Sequence, residues 1–345
     1  MTLESDDVER EGRRRVAPAP EMAVTTPVLE FPLGPAQNSA FVTPRDKLFV
    51  LAHLGVPRID QETWRFDIAG QVGTALSFRY ADLADLPQTS VTTAFQCAGN
   101  PQEPARPFRV AANVEWRGVL LRALLARAGV APSCRYLWAY GLDHGSYFGM
   151  PHQAHYVKDL PLDYVMSHEV IVATHMNGEP LSPAHGFPAR IVAPGFYGTN
   201  SVKWLCRLEA ADRRADGLFT RELYNDASPG AETPAPVWHI APEALMVSPA
   251  DGESISTGDK TITGWAWGYA EIVTVAVSTD GGATWGSAEL AHRQAGAWQR
   301  FSCRWSPTHA GPHVLLCRAT DSAGRTQPLE GARNAVHRVA VEVVP

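Results

Sequence analysis

The chain has 345 residues and a formal net charge of −6, from 30 Lys+Arg against 36 Asp+Glu. Domains run to roughly 100–200 residues, so two are expected. An apolar content of 45% with 19% charged residues excludes a wholly disordered chain, and the lack of a basic surplus excludes a nucleic-acid-wrapping protein.

In chain order, residues 1–30 read as a disordered tail. Arg13, Arg14 and Arg15 cluster there, but no apolar stretch follows of the kind an export signal needs. TWRFDIAG (63–70) alternates like a strand, with Gly70 and Gly73 bracketing a turn. FRYADLADLP (78–87) suits a short helix stopped by Pro87. SVTTAFQCA (90–98) is rich in β-branched residues and predicts a buried strand ending at Cys97. WRGVLLRALLARAGV (116–130) predicts a helix, with Leu120, Leu121, Leu124, Leu125 and Ala128 as its apolar stripe and Gly129 as its C-terminal stop. Segments 135–143, 169–178, 189–195 and 201–210 read as strands, the last two joined by the Gly-rich loop GFYGTN (195–200). Without a strict βαβ rhythm, the fold class expected is α+β.

The composition shifts at SPGAETPAP (228–236), a linker by its prolines and small residues. Beyond it come six or seven short strands, with Asp280-Gly281-Gly282 as a hairpin turn. That is the pattern of a β-sandwich of immunoglobulin-like size. The expected organisation is a tail (1–30), a first domain (31–230), a linker (231–239) and an all-β domain (240–345). No run approaches the roughly 18 apolar residues of a membrane span.

The five cysteines are Cys97, Cys134, Cys206, Cys303 and Cys317, with no Cys-x-x-Cys. The odd count points to a reducing compartment and a cytoplasmic protein. Cys303 and Cys317 are the pair to consider for a disulfide, if their strands neighbour in one sheet. His152, His155, His168 and His175 give only weak zinc spacings. Cys97, at a strand end before Ala98-Gly99-Asn100, is placed as a nucleophile would be, though a buried structural thiol has the same pattern. Arg190 and Lys203 flank the Gly-rich loop and would suit a phosphate there, or else are exposed basic residues of a sheet.

Several segments together resemble the sulfite oxidase family of molybdenum enzymes. They are TTAFQCAGN (92–100), NGEPLSPAHGFPARIVAPGFYGTNSVKWLCRLE (177–209), DGESISTGDKTITGWAWG (251–268), STDGGATW (278–285) and NAVHRVAVEV (334–343). The resemblance implies a mixed α/β domain holding a mononuclear molybdenum on one pyranopterin dithiolene, that is, Mo-molybdopterin. It also implies an immunoglobulin-like domain used for homodimerisation. By the same resemblance Cys97 is the thiolate ligand to molybdenum, a soft ligand beside two dithiolene sulfurs. His53, His185, Arg190 and Lys203 match residues that hold the pterin and its phosphate, with the backbone from Gly198 through Ser201 to Val202. Tyr224 falls where the family has a tyrosine beside the metal.

Sulfite-oxidising members carry arginines that this chain replaces. Leu51 in FVLAH (49–53) stands for one, and Pro101 and Gln102 follow Asn100 where the family has two more. A further one falls near Leu329 or Arg333. At about 1.5–3 kcal/mol per charged hydrogen bond, their loss weakens an anion site by several kcal/mol. Leu51, Phe95, His144, Tyr147 and Phe148 are candidates for a more apolar pocket. Three functions follow: an oxo-transfer oxidoreductase on a small substrate other than free sulfite; a sulfite oxidase with a rearranged anion pocket, with Arg106, Arg109 or Arg333 restoring charge; or a cofactor-binding relative without catalysis. No haem-attachment motif is present, so a separate electron-transfer partner is expected.

Overall fold

The structure is a computed structural model that describes residues 28–30, 39–99, 109–147, 153–227 and 234–345. Residues 1–27 of the expected tail, residues 231–233 of the expected linker, and Asn100, Pro101, Gln102, Arg106, Phe148 and His152 lie outside the described residues.

β1 (Val28–Glu30) pairs antiparallel with β2 (Val50–Ala52). There follow β3 (Phe66–Gly70), β4 (Leu76–Phe78), the helix α1 (Tyr80–Ala84) and β5 (Gln88–Gln96). Next are β6 (Ala111–Leu120), α2 (Leu121–Ala128), β7 (Tyr136–Ser146), β8 (Gln153–Pro161) and α3 (Leu162–Ser167). β9 (Ile171–Met176), β10 (Glu179–Pro180), β11 (Arg190–Val192) and β12 (Leu205–Ala211) complete the first half. Helices are few and short, so the α+β expectation holds as a mostly β fold.

Two sheets make this half. One runs β10-β9-β6-β5, with β11 also on β9; the other runs β4-β3-β12-β7-β8. Their facing sides and α2 share one core, with Ile68, Leu137, Leu160 and Leu208 against Val119, Val172, Leu121 and Leu124. The far face of the first sheet is covered as well, through Val91, Val114, Trp116 and Ile171. A sheet covered on both faces leaves only Glu115 and Arg117 of β6 exposed.

That burial corrects the helix expected over 116–130. Residues 116–120 belong to β6, paired with both β5 and β9, and only Leu121–Ala128 is helical. Leu120 is strand; Leu121, Leu124, Leu125 and Ala128 are the buried stripe. Gly129 caps the helix at φ 68°, its N–H reaching the Leu125 carbonyl at 3.0 Å.

Two further strands, β13 (Asn225–Asp226) and β14 (Ala235–Pro236), pair across the end of this half. The second half contains β15 (Glu243–Ser248), β16 (Ser254–Ser256), β17 (Lys260–Trp267), β18 (Ile272–Ser278) and β19 (Gly286–Ser287). It ends with β20 (Glu289–Leu290), β21 (Gln299–Trp305), β22 (Gly311–Asp321) and β23 (His337–Val344). The sheets β15-β17-β21-β20 and β16-β23-β22-β18-β19 pack into one core, with Met246, Ile262 and Phe301 against Val275, Leu315 and Val341. The expected turn after β18 is present: Gly281 and Gly282 have φ of 74° and 99°, and the Asp280 carboxylate accepts the Thr284 N–H at 2.9 Å. Cys303 lies on β21 and Cys317 on β22, strands of different sheets, and both thiols are free, so the disulfide considered from sequence is absent. A fourth cluster joins the halves, with Tyr197 and Ala98 packed against Trp265, Trp267 and Trp298.

Candidate functional site

A cleft of about 750 Å³, counting its solvent-open part, lies in the first half. Its walls come from β2 and the turn after it, the end of β5, the 3-10 turn Pro183–His185, and the β11–β12 connection. Cys97, His53, His185, Arg190, Gly198, Ser201, Lys203 and Tyr224 all line it. Val202 does not: its side chain is in the core, and its carbonyl accepts the Ile191 N–H at 2.8 Å.

Cys97 stands one residue past β5. The Gly99 N–H donates to its Sγ at 3.3 Å. Burial pushes the thiol up from its usual pKa, while the Gly99 N–H and the Arg333 charge pull it down. Arg333 itself is held by the Asp226 carboxylate at 2.7 and 2.8 Å and lies over the Tyr197 ring.

The cleft is cationic inside. Arg190 is buried between the rings of Trp116 and Phe95, its guanidinium carbon 4.8 and 5.1 Å from their centroids. It donates to the carbonyls of His185 (3.0 Å) and Ser201 (2.9 Å). The Lys203 Nζ donates to the carbonyls of Leu51 (3.0 Å) and Ala184 (3.2 Å). Neither makes an ion pair among the described residues. Burial therefore pulls Arg190 down to about 9. It lowers Lys203 too, helped by the Arg190 charge and opposed by Asp143, a buried carboxylate that burial raises.

His185 is fixed by Ser182, whose hydroxyl meets Nδ1 at 2.8 Å. Its Nε2 is buried without a hydrogen-bond partner. Burial, then the Arg190 and Lys203 charges, lower it to about 3, so this imidazole is neutral at pH 7. Gly198 passes close to Phe95: a Cβ there would lie 3.0 Å from that ring. The Ser201 hydroxyl accepts the Ala193 N–H at 3.1 Å, tying the connection to the end of β11.

On the opposite wall the Tyr224 hydroxyl meets His53 Nε2 at 2.6 Å. Burial and the Lys203 charge lower His53 to about 4, so in the Nδ1–H tautomer the phenol donates to Nε2. Burial raises the Tyr224 phenol, which stays protonated. Sequence reasoning missed Tyr156, Thr199 and Asp143. The Tyr156 hydroxyl meets the Thr199 carbonyl and hydroxyl, each at 2.8 Å, and Asp143 lines the cleft beside Lys203. They carry no spacing signal; a buried Tyr-Val-Lys-Asp run within β8 (156–159) was the available hint.

Leu51 and Phe95 line the cleft as expected, but His144 stacks on His155 instead, with ring centroids 5.4 Å apart. Tyr147 packs behind His53. Arg109 is committed elsewhere, to Glu243 at 3.1 Å and the carbonyls of Ala335 and Val336. Leu329 is exposed.

A two-sheet domain with a cationic cleft and a thiol at a strand end, followed by a sandwich, defines a cofactor-binding protein with an appended β domain. The profile of the family described as "Oxidoreductase molybdopterin binding domain" matches residues 53–219, and that of "Mo-co oxidoreductase dimerisation domain" matches residues 235–343. The chain is 33% identical to the mitochondrial sulfite oxidase of Mus musculus, over 89% of this chain and 63% of that protein. It is 30% identical to the sulfite oxidase of Gallus gallus, over 84% of this chain and 68% of that protein. It is also similar, at 29% identity, to a nitrate reductase of Hordeum vulgare, over 87% of this chain and 38% of that protein. Among solved structures it resembles the sulfane dehydrogenase SoxCD from Paracoccus pantotrophus, with TM-score 0.77, 26% identity, and coverage of 98% of this chain and 92% of that one. The chain belongs to the sulfite oxidase family of molybdopterin oxidoreductases. It spans less than two thirds of the length of most of the mammalian relatives it matches.

The family implies Mo-molybdopterin, and the residues fit it. Two buried cations that make no ion pair among the described residues, with Asp143 the one carboxylate acting on Lys203, call for an anion such as the cofactor's phosphate. The orphan His185 Nε2 calls for a polar partner. The Cys97 thiol gives a soft ligand to the metal. Among the described residues no helix is long and apolar enough to cross a membrane.

Proposed function

We propose that this chain is a molybdenum-dependent oxidoreductase acting on a small substrate other than free sulfite. The cofactor, when bound, supplies two-electron oxo transfer. Cys97 would hold the metal as thiolate; Arg190, Lys203 and His185 would hold the pterin and its phosphate, with Gly198 and Ser201 shaping the turn. Tyr224 and His53 would orient a substrate oxygen by hydrogen bonding, both neutral at pH 7. Tyr156 and Thr199 close the wall beside them and exclude water.

The observation that carries the choice of substrate is Leu51. It lines the cleft where the sulfite-oxidising members have an arginine, and it offers no hydrogen bond. Arg109 is neutralised by Glu243, and Arg333 shares its charge with Asp226. An anion entering such a cleft loses water with little compensation. A neutral or partly apolar oxo acceptor or donor, such as a sulfoxide, suits it better. The structurally similar SoxCD, a sulfane dehydrogenase, is consistent with sulfur chemistry beyond sulfite. The second reading, a sulfite oxidase with a rearranged anion pocket, rests on the Arg333 charge felt at Cys97.

Steady-state kinetics with sulfite and with dimethyl sulfoxide, using an artificial electron carrier, separate the two. Weak sulfite turnover that improves in Leu51→Arg is expected. A low-micromolar KM for sulfite, unimproved by the substitution, would overturn the reading. Turnover of neither, with molybdenum bound, would favour the relative without catalysis.

The same proposal extends to the rest of the molecule. The division at 31–230, 231–239 and 240–345 makes the sandwich an immunoglobulin-like module that pairs two copies, supported by the dimerisation-domain match. Light scattering showing a monomer would refute that. Electrons would pass to or from a separate partner protein. Five free thiols suit a reducing, cytoplasmic setting.

A further inference from the structure

Lys158 is fully buried, on the same face of β8 as Tyr156, which lines the cleft. Its Nζ donates to the Phe219 carbonyl at 2.9 Å. It lies 5.3 Å from the centroid of the Tyr224 ring. The neighbouring carboxylate, Asp159, is taken by Arg214 at 2.9 and 3.2 Å and by the Ala215 N–H at 3.1 Å. The Lys158 ammonium thus has one carbonyl and one aromatic face for company.

A methionine would fill this volume without the cost of desolvating a charge. A carbonyl at the turn 218–222 does not by itself call for an ammonium. What the charge touches that the cleft uses is the phenol of Tyr224, whose hydroxyl meets His53. A cation over an aromatic face is attracted to the ring, and withdraws electron density from a phenol oxygen attached to it. That sharpens the O–H as a donor.

We propose that Lys158 is a positioning residue for Tyr224: its ammonium, held by the Phe219 carbonyl against the phenol ring, fixes the ring over the cleft and strengthens its hydroxyl as a donor to His53. The proposal rests on Tyr224 belonging to the functional site. The groups that face Lys158 are Asp159 and Arg214, which neutralise each other, and Tyr224. Burial lowers Lys158 to about 8, so the charge is present at pH 7 and leaves within a measurable range.

The test uses the full chain with its tyrosines ¹³C-labelled at Cζ, and the Tyr224 signal identified by its loss in Tyr224→Phe. In the unsubstituted chain, titrated from about pH 6 upward so that His53 stays neutral, that signal should move with a midpoint near about 8. In Lys158→Arg, which keeps the charge, it should stay at its low-pH position throughout. In Lys158→Met, which removes it, it should stay at its high-pH position. A signal that follows the same curve in all three overturns the proposal and leaves Lys158 a structural cap of the Phe219 carbonyl. If the methionine variant does not fold, an arginine variant that tracks the unsubstituted curve overturns it equally. An unsubstituted signal that does not move at all overturns it without any variant. None of these readings needs turnover, so a wrong substrate for the enzyme leaves the result intact.

Discussion

Arg190 makes no ion pair among the described residues, and Lys203 feels only the carboxylate of Asp143, which burial raises; that makes their loss readable. Each charge-assisted contact to an anion contributes about 1.5–3 kcal/mol, so Arg190→Ala should lower cofactor occupancy at least about tenfold, measured as molybdenum and pterin content after purification. Full occupancy in the double variant with Lys203→Ala would place the phosphate elsewhere. Cys97→Ser should keep the fold but abolish turnover and change the visible absorption of the bound metal. The two cleft histidines give a pH effect whose sign follows from their direction. Burial holds His53 near about 4 and His185 near about 3, below the unfolded imidazole. The unfolded chain then binds more protons than the folded one as pH falls below about 6.5, so stability is present above that value and is lost towards pH 4. The loss reaches up to about 1.4 kcal/mol per pH unit for each histidine. Melting of the cofactor-free chain should show it, and His185→Gln should flatten the slope. At this scale the meeting of Cys97, His53, His185, Arg190, Lys203 and Tyr224 around one cleft was legible, because the resemblance named them together. Tyr156, Thr199 and Asp143 were not, because a lone polar residue in a strand looks the same whether it faces a cleft or a satisfied core.

The elements show where pattern reading breaks. The turn at Asp280-Gly281-Gly282 and the stop at Gly129 were legible, since each needs a backbone conformation that few residues adopt. The strand β6 was not. It sits between β5 and β9 with apolar cover on both faces: Val114 and Trp116 are buried on one side and Val119 on the other, and the alternation through exposed Glu115 and Arg117 breaks at the register shift before Gly118, leaving only the short run 116–120. Joined to the leucines of α2, the run reads as one long helix. Gly118 marks the difference. A Cβ on it would lie 2.0 Å from the Val172 carbonyl oxygen and 2.6 Å from the Ala173 Cα, so the two backbones meet there as only glycine permits. Gly118→Ala must push β6 and β9 apart in the middle of a sheet covered on both sides. A loss of about 3 kcal/mol is expected, at the upper end for overpacking, read from the urea midpoint. In a helix the same substitution would stabilise by up to about 1 kcal/mol, so the sign of the change tests the assignment as well as its size.

The halves of the molecule are joined by a buried polar cluster rather than by apolar packing alone. Arg109, just before β6, meets Glu243 at the start of β15, with both side chains fully buried. Its Nη2 also donates to the carbonyls of Ala335 and Val336, at 2.9 and 3.1 Å. Gln96 reaches Asn334 at 2.7 Å and accepts the Trp267 indole N–H at 2.8 Å. Gln96 precedes Cys97 and Asn334 follows Arg333, so this cluster sets the distance between the thiol and the cation that acts on it. The sandwich is therefore tied to the cleft through its chemistry, not only through its surface. Arg109→Met should cost about 3–5 kcal/mol, because it leaves the Glu243 carboxylate buried without its cation. The paired change Arg109→Met with Glu243→Leu should recover part of that, since an apolar pair of similar volume is often neutral against a buried ion pair. What is not recovered is the desolvation of the two carbonyls, at about 1–3 kcal/mol each. Calorimetry on the three variants separates these contributions. An equal loss in the single and double variants would mean that the carbonyl contacts, and not the ion pair, hold the halves together.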